Sequence, residues 1–397
     1  MSFEFSKKVS GLQASAIREI LKFTSDPEVI SFAAGNPAPE AFPVDQIERI
    51  SKEIFEKDPI LALQYSITEG YTPLRNTLKS RLKKDNCFDS DKDELIITSG
   101  AQQANELAAK VLCDEGDTIV CEAPSFIGSL NAFKSYNVDL VGVELQDDGI
   151  NLEKLEEVLK EKKVKLIYLI PNFQNPTGLT TSYEKRVEVL RLAEKYDTVI
   201  LEDNPYGDLR FDGEDIPSIK SMDKSGRVIY SGTFSKVLAP GIRVGYTSAP
   251  KEIVSKMIVC KQVSDVHTNI WAQVLADKFL NECDMNKHLL SLKEIYRHKC
   301  SLMLSQIEKN FSSKLSFTRP QGGLFIWCTL PEDCDMMTFC KRAVEEYKVA
   351  VVPGTAFLVS ETEKTSSFRL NFSTPTDEEI VLGCEKIGRL SKEMFGE

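Results

Sequence analysis

The sequence predicts an α/β protein in which helices flank a mostly parallel β-sheet and a smaller α/β domain follows. Three observations lead to this prediction. From about residue 95 to 250, short apolar segments alternate with amphipathic ones, as in a parallel sheet covered on both faces. Residues 300–397 carry fewer strand-like segments between helical ones. The 397 residues exceed what one compact core usually holds, which favours two domains.

Six short and nearly continuously apolar segments are the candidate strands of the large sheet. They are LIIT (95–98), TIVCE (118–122), DLVGVEL (139–145), KLIYLI (165–170), TVILED (198–203) and RVIYSGTF (227–234). Helical patterns lie between several of them. One such pattern has an apolar stripe formed by Ala104, Leu107, Ala108, Val111 and Leu112. Sheets of this kind bind ligands at the carboxyl ends of their strands.

The two ends of the chain complete the predicted architecture. FIWCTL (325–330), VAVVP (349–353) and FRLNF (368–372) are strand-like. An amphipathic helix is predicted from Leu12 to Phe23, followed by a segment whose prolines favour an extended path. We therefore expect an N-terminal segment (1–46) that joins the small domain, a large domain (47–290) and a C-terminal small domain (291–397).

Composition argues against several classes of function. The 60 acidic and 49 basic residues leave a net charge of −11, which disfavours a nucleic-acid or membrane surface. The ten cysteines form no CxxC pair and only three histidines occur, so neither a metal site nor a Ser-His-Asp triad is expected. No apolar run approaches the roughly 20 residues of a membrane span, and the N-terminus lacks a signal-peptide pattern. We expect a cytoplasmic protein with free thiols.

The segment SGTFSKVLAPGIRVGY (231–246) is the most informative part of the sequence. Lys236 follows a candidate strand directly, with the hydroxyls of Thr233 and Ser235 before it and Arg243 seven residues after it. A lysine amine can form a Schiff base. Hydroxyls and a guanidinium suit a phosphate group. Taken alone this pattern is weak, because most lysines are only solvated.

Residues at the ends of the other candidate strands strengthen this interpretation. Asp203 ends TVILED, where an acid could pair with the protonated ring nitrogen of pyridoxal 5′-phosphate (PLP). Asn175 lies in PNFQNPTG after KLIYLI. Gly100 opens a helix whose first backbone amides, with Ala101 and Gln102, would form an anion site. Each feature alone could be a turn or a cap, but their occurrence at successive strand ends indicates one cofactor site.

These motifs resemble those of the class I/II PLP-dependent aminotransferases of fold type I, and most closely the kynurenine/2-aminoadipate aminotransferase subgroup. The resemblance covers essentially the whole chain and implies a large domain with a mostly parallel seven-stranded sheet plus a smaller α/β domain. Besides the Lys236 segment, it rests on QASAIREILK (13–22), ISFAAGNPAPEAFP (30–43), LQYSITEGYTPLR (63–75), TSGAQQ (98–103), EAPSF (122–126), PNFQNPTG (171–178), LEDNPYGDLRF (201–211), RPQGGLFIW (319–327), VPGTAF (352–357) and FRLNFS (368–373).

The resemblance assigns the cofactor contacts. It implies that Lys236 is the Schiff-base lysine and carries the proton between the substrate Cα and the cofactor. Asp203 would pair with the pyridine nitrogen, Tyr206 and Asn175 would bind the phenolic oxygen, and Phe126 would stack on the ring. The phosphate would lie among Gly100, Ala101, Gln102, Thr233, Ser235 and Arg243. Relatives often carry tyrosine in place of Phe126 and serine in place of Ala101, so the chain lacks those two hydroxyls.

The resemblance also assigns the substrate contacts and a partner subunit. Arg369 would bind the substrate α-carboxylate with its planar fork, close to Asn175. Gly35 would let the backbone approach the same carboxylate. Arg18 would contact an acidic substrate side chain, although it could equally be a solvated helix residue. Tyr65 would reach the phosphate of the partner subunit, which implies a homodimer with active sites at the interface.

The expected function is transamination between an L-α-amino acid and a 2-oxo acid, with 2-oxoglutarate as the expected acceptor. Donors of the 2-aminoadipate, aromatic and branched-chain types all occur among relatives, and the sequence does not select one. Two alternatives remain open at this stage. The chain could be a PLP-dependent β-lyase or decarboxylase, or a ligand-sensing regulator domain of the same fold, although its acidic charge disfavours a DNA-binding module.

Overall fold

The computed structural model describes residues 3–10, 26–360 and 363–397. The predicted helix from Leu12 to Phe23 lies outside these residues. The strands of the described part are β1 (Ile30–Ser31), β2 (Asp93–Thr98), β3 (Thr118–Ala123), β4 (Asp139–Gln146), β5 (Gly149–Ile150), β6 (Val164–Leu169), β7 (Val199–Asp203), β8 (Val228–Thr233), β9 (Gly245–Pro250), β10 (Ser316–Phe317), β11 (Phe325–Thr329), β12 (Val349–Ala350), β13 (Val352–Pro353) and β14 (Ser367–Asn371).

Helices separate most of these strands. The α-helices of the described part are Lys7–Ser10, Val44–Lys57, Pro59–Leu63, Thr72–Lys84, Ala101–Leu112, Ile127–Lys134, Leu152–Glu161, Tyr183–Lys195, Ile219–Met222, Lys251–Asp265, Ile270–Glu282, Met285–Asn310, Met336–Glu345 and Asp377–Phe395. Short 3₁₀ helices lie at Pro39–Ala41, Gly207–Leu209, Pro240–Ile242 and Gly354–Phe357.

The large sheet has the strand order β2-β9-β8-β7-β6-β3-β4-β5. The five strands from β8 to β4 are parallel, and β9 runs antiparallel to both of its neighbours. The mostly parallel sheet is therefore confirmed, and the two-residue strand β5 adds an eighth strand at one edge. The candidate strands did not include β9, whose sequence GYTSAP is short of large apolar residues. It forms a strand because β2 and β8 bond its backbone on both sides.

Both faces of this sheet are covered, as the apolar strands predicted. In β6, Leu166 and Tyr168 pack into the core on one face, whereas Ile167 and Leu169 pack into the core on the other. This alternation is the two-residue period of a strand. The helix Ala101–Leu112 covers the first face. The apolar stripe predicted for it is confirmed, since Ala104, Leu107 and Ala108 are buried and Val111 and Leu112 are partly buried against the same core.

A second group of strands joins the two ends of the chain. The order β10-β11-β14-β13 forms an antiparallel sheet, and β1 pairs in parallel with β12. The predicted strand VAVVP is therefore divided between two sheets, with β12 on one side of Val351 and β13 on the other.

The expected domain boundaries stay a prediction, and the boundary between residues 290 and 291 falls within the helix Met285–Asn310. Among the described residues, no helix is both long and apolar enough for a membrane span.

Strand direction decides where the site lies. Because β9 is antiparallel to both β2 and β8, β2 runs parallel to β8 and ends at the same edge of the sheet as β3, β6 and β7. The loops that follow these strands carry the motifs singled out in the sequence. The antiparallel sheet contributes β14, which places Arg369 opposite this edge.

Candidate active site

One cavity of about 490 Å³ lies at this edge of the large sheet. It brings together residues from segments far apart in sequence, including the loop before the 3₁₀ helix Pro39–Ala41 and the strand β14. The predicted site residues that line it are Gly35, Ala101, Gln102, Phe126, Asn175, Asp203, Tyr206, Thr233, Ser235, Lys236, Arg243 and Arg369.

Lys236 lies in the cavity, three residues after the end of β8. Its Nζ donates a hydrogen bond to the carbonyl oxygen of Gly35 at 2.8 Å and lies 5.9 Å from the centre of the Tyr206 ring. Burial, followed by the positive charges of Arg369 and Arg243, lowers the pKa of Lys236 from 10.5 to about 8. A lysine with this pKa has a substantial neutral fraction near neutral pH, which makes it a nucleophile and a base.

Asp203 is the last residue of β7 and is buried. Its Oδ2 accepts hydrogen bonds from Asn105 Nδ2 at 2.7 Å and from the Tyr168 hydroxyl at 2.9 Å. Its Oδ1 is buried and has no hydrogen-bond partner in the part of the chain that the structure describes. Burial raises the pKa of Asp203 to about 6, against the effect of the two hydrogen bonds. A buried carboxylate with one free oxygen is suited to a cationic N–H group of a ligand.

An anion site lies where the helix Ala101–Leu112 begins. Gly100 precedes this helix with φ of 78°, and a Cβ built on it would collide with the guanidinium of Arg243. Arg243 Nη2 donates to the carbonyl oxygen of Ser99 at 3.1 Å, and Arg243 Nη1 donates to Ser235 Oγ at 3.4 Å. The hydroxyl of Thr233 donates to Ser235 Oγ at 3.0 Å. A helix N-terminus, a guanidinium and two hydroxyls together match the phosphate group predicted from the sequence.

Gln102 and Phe126 line the side of the cavity next to this anion site. Gln102 Nε2 donates to the carbonyl oxygen of Gly128 at 2.8 Å, so the side chain is held against the helix Ile127–Lys134. Phe126 immediately precedes that helix and presents an aromatic ring to the cavity.

Arg369 forms the opposite wall. Its Nη1 donates to Asn175 Oδ1 at 2.9 Å and its Nη2 donates to the carbonyl oxygen of Ala33 at 2.7 Å. Its Nε is buried and bonds to none of residues 3–10, 26–360 and 363–397. The guanidinium lies 4.3 Å from the ring centre of Phe325 and 5.0 Å from that of Phe357. Burial lowers the pKa of Arg369 to about 10. No carboxylate of the described residues pairs with it, so a ligand carboxylate would supply the missing charge.

Three of the predicted residues lie elsewhere. Gly100 is just behind the lining, at the start of the anion site. Tyr65 is 82% exposed and makes an edge-on contact with the ring of His267, 5.9 Å away, so it does not reach this chain's own cavity. The expectation that Tyr65 serves a partner subunit stays a prediction. Arg18 lies outside the described residues.

The structure also shows supporting residues that the sequence analysis did not identify. Asn105 and Tyr168 donate hydrogen bonds to Asp203. The one signal in the sequence was that Asn105 is a polar residue in a helix with an apolar stripe. Arg186 is fully buried and donates to the carbonyl oxygen of Pro171 at 3.0 Å and to Asn172 Oδ1 at 2.6 Å. It therefore holds the beginning of the loop that carries Asn175.

Comparison with known proteins identifies the family of the chain. The family model described as aminotransferase class I and II matches residues 27–387. The aromatic-amino-acid aminotransferase 1 of Thermococcus litoralis is 43% identical, over 98% of this chain and 94% of that protein. The crystal structure of the multiple substrate aminotransferase from Thermococcus profundus superposes with a TM-score of 0.94 at 40% identity, covering 99% of this chain and 98% of that one.

A further solved structure bears on the cofactor. The α-aminoadipate aminotransferase of Thermus thermophilus, complexed with N-(5′-phosphopyridoxyl)-L-leucine, has a TM-score of 0.91 at 36% identity and covers 99% of this chain and 98% of that one. The ligand in its description contains a phosphopyridoxyl group joined to an amino acid. The chain belongs to the class I and II aminotransferases, which are PLP-dependent transaminases of fold type I.

Proposed function

We propose that this chain catalyses reversible transamination between an L-α-amino acid and a 2-oxo acid, with Lys236, Asp203 and Arg369 in the principal roles. The observation that carries the proposal is that these three groups, each of a different chemistry, line one cavity of about 490 Å³. A nucleophilic amine, a carboxylate with a free oxygen and a guanidinium without a counter-charge are the three groups that the reaction requires.

The described residues fit PLP. The buried Oδ1 of Asp203 has no hydrogen-bond partner among the described residues, and the ring nitrogen of PLP would provide one. The anion site at Gly100, Ser235 and Arg243 would hold the phosphate, together with Ala101, Gln102 and Thr233. Tyr206 and Asn175 would bind the phenolic oxygen, and Phe126 would cover the ring. When bound, PLP supplies an electrophilic carbon and a ring that accepts electrons from the substrate.

Lys236 would act twice in this scheme. Its neutral amine would first bind the cofactor covalently and, after a substrate amine displaces it, would remove the proton from the substrate Cα. The lowered pKa supports both roles, because an amine with a pKa of about 8 has a neutral fraction near neutral pH. The carbonyl of Gly35, 2.8 Å from Nζ, holds the amine in the cavity.

Arg369 would bind the substrate α-carboxylate and thereby orient the Cα. Its bonds to Asn175 and Ala33 fix the plane of the guanidinium, while its Nε remains free to donate. Asn175 would therefore serve both the cofactor and the carboxylate. Gly35 lies at the same end of the cavity, where the absence of a side chain leaves room for the substrate backbone.

The proposed donors are aromatic, 2-aminoadipate-type and branched-chain amino acids, with 2-oxoglutarate as acceptor. The names of the relatives support a broad range, since they include an aromatic-amino-acid, a multiple substrate and an α-aminoadipate aminotransferase. The test is to measure kcat/KM for tyrosine, kynurenine, 2-aminoadipate, leucine and glutamate with 2-oxoglutarate. Formation of a 2-oxo acid and glutamate in equal amounts supports the proposal. Release of ammonia or carbon dioxide instead would support the lyase or decarboxylase alternative.

We predict that the rate at which the PLP-free protein captures PLP rises with pH and levels off above about 8, because only the neutral Lys236 amine reacts and its pKa is lowered to about 8. Rapid mixing with PLP, followed by absorbance, measures this rate. Removing the nearby positive charge in Arg369→Gln is expected to move the plateau to higher pH. A rate that still rises steeply toward pH 10.5, the ordinary pKa of lysine, would contradict the prediction.

We further propose that the active form is a homodimer. An exposed apolar face carries Ile60, Leu63 and Tyr65, which are 67%, 71% and 82% exposed. Tyr65 contacts His267, which lies two residues beyond the end of the helix Lys251–Asp265, and this helix carries the 76% exposed Val263. Exposed apolar side chains clustered in this way mark a protein interface. A partner seated here would place its Tyr65 at a neighbouring phosphate site, as the resemblance implies.

Introducing a charge into this face is expected to break the dimer. In Leu63→Asp, burial of an unpaired carboxylate at the interface should shift the protein to monomers and weaken PLP retention. Light scattering after size exclusion measures the mass, and absorbance measures the retained cofactor. The control is Leu382→Asp, because Leu382 is also exposed but lies on the C-terminal helix. A monomeric wild-type protein, or a Leu63→Asp variant that stays dimeric, would contradict the proposal.

The proposed location is the cytoplasm. All ten cysteines are free, and burial raises the pKa of all six buried ones above the usual value for a thiol. Free buried thiols persist in a reducing compartment. The net charge of −11 supports a role with small-molecule substrates and no nucleic-acid partner.

A further inference from the structure

We propose that Asn105 and Tyr168 are positioning residues that keep Asp203 ionised and direct its Oδ1 toward the cofactor ring. The proposal deepens the function proposed above and rests on the role given there to Asp203. Neither residue belongs to the motifs identified in the sequence. Both contact Asp203 directly, and neither is assigned a contact with PLP or with substrate.

The two donors converge on a single oxygen atom. Asn105 Nδ2 lies 2.7 Å and the Tyr168 hydroxyl 2.9 Å from Asp203 Oδ2. They come from different elements, the helix Ala101–Leu112 and the strand β6. Ser129, on a third element, accepts from Asn105 Nδ2 at 3.0 Å and donates to the Tyr168 hydroxyl oxygen at 2.9 Å. Ser129 connects the two donors to each other. Asn105 and Tyr168 therefore fix the rotation of the Asp203 carboxylate about its Cβ–Cγ bond.

Burial makes this arrangement rigid. Asn105 is 1% exposed, and Tyr168 and Ser129 are fully buried. Buried donors of this kind have no water to replace a lost partner. Asp203 lines the cavity. Its Oδ2 accepts both hydrogen bonds, whereas its buried Oδ1 accepts none from the described residues. A protonated ring nitrogen is the chemical group that would satisfy it.

The lack of charge on the two donors is as important as their position. Asn105 and Tyr168 are neutral, so they stabilise the carboxylate without cancelling its negative charge, as an arginine or lysine would. Glu122 is a buried acid that interacts electrostatically with Asp203, and burial raises its pKa to about 8, so it is mainly protonated at neutral pH and adds little competing charge. Asp203 therefore remains the main negative charge available to the ring nitrogen.

Loss of either donor should weaken this effect. Removing one of the two hydrogen bonds is expected to raise the pKa of Asp203 further. The ionised carboxylate is then less stable, so it attracts the proton of the ring nitrogen less strongly. A hydrogen bond to a charged group corresponds to about a 10- to 100-fold effect on an equilibrium. We expect the ring nitrogen to lose its proton at a pH about one unit lower and kcat to fall about 10- to 100-fold, with little change in KM for the amino acid.

The test uses the holoenzyme reconstituted with ¹⁵N-labelled PLP, in wild type, Tyr168→Phe and Asn105→Leu. The nitrogen chemical shift is followed as a function of pH, and kcat and KM are measured for one good donor. Tyr168→Phe removes only a hydroxyl, so it remains informative if Asn105→Leu folds poorly. Tyr136→Phe is the matched control, because the Tyr136 hydroxyl also donates to a carboxylate, that of Glu106 at 2.9 Å, and not to Asp203.

The outcomes separate this inference from the function on which it rests. An earlier loss of the ring proton in Tyr168→Phe, absent in Tyr136→Phe, supports it. If Asp203→Ala loses turnover while Tyr168→Phe and Asn105→Leu titrate and turn over as wild type does, the positioning role is wrong and the role of Asp203 stands. If Asp203→Ala also keeps full turnover and an unchanged ring nitrogen, the proposed role of Asp203 fails as well.

Discussion

Replacing Lys236 by alanine is expected to reduce kcat by at least about 10⁴-fold, because the change removes both the covalent anchor and the base. The fold should persist, since the one hydrogen bond that Lys236 Nζ makes with the described residues is to the Gly35 carbonyl oxygen. The anion site and Asp203 should still retain PLP non-covalently. Steady-state turnover with 2-oxoglutarate measures the loss, and the absorbance spectrum shows whether bound PLP lacks its link to the protein.

Two comparisons make this result specific. An added small primary amine should restore part of the activity of Lys236→Ala, because it can supply a base in the vacated space. Lys299→Ala is the matched control, since Lys299 is also a buried lysine that donates to a backbone carbonyl, that of Pro375 at 2.7 Å, but lies outside the cavity. We expect it to lower stability and leave kcat nearly unchanged. Full activity in Lys236→Ala would contradict the whole interpretation of the site.

Replacing Arg369 by glutamine is expected to lower kcat/KM about 10²- to 10³-fold for both the amino acid and the 2-oxo acid. Losing one partner of a buried ion pair costs about 3–5 kcal/mol, and the substrate carboxylate would be that partner. The effect should fall mainly on KM if the carboxylate contact is equally strong before and during the reaction. Arg369→Lys should recover part of the loss, because it restores the charge but not the planar fork.

A substrate without a carboxylate tests the assignment of Arg369 directly. For a simple primary amine, wild type and Arg369→Gln should react at similar low rates, since neither can use the contact. Arg297→Gln is the control, because Arg297 donates to the carbonyl oxygen of Phe211 at 2.6 and 2.9 Å outside the cavity. Equal losses for the amine and the amino acid would show that Arg369 has a structural role.

Much of the fold could be predicted because it depends on local patterns. The alternation within β6 and the stripe of Ala104, Leu107 and Ala108 are periodicities that any sheet or helix of this kind requires. The strand β9 was missed because its place between β2 and β8 depends on pairing with distant segments. VAVVP was predicted as one strand for a similar reason, since its division depends on whether β1 or β14 lies beside each residue.

Some residues of the candidate site could likewise be identified from local sequence patterns, whereas others could not. Lys236, Asp203, Asn175 and Gly100 were identifiable from the sequence because Asp203 ends a strand and the other three follow strands, and parallel strands bring their carboxyl ends to one edge. Arg369 could be assigned only through the resemblance, because it lies in an antiparallel strand of the other sheet. Its unpaired charge and its position over Phe325 and Phe357 became visible only with the structure.

The sequence by itself determined the class of fold, the family and the chemistry of the principal side chains, since these follow from residue type and order. Only the tertiary structure decided which atoms are left without partners. Asp203 Oδ1 and Arg369 Nε are buried and free because Asn105, Tyr168, Asn175 and Ala33, from four separate segments, bind the neighbouring atoms. Spacing along the chain does not specify contacts at 3 Å between distant segments, because packing of the whole core sets them.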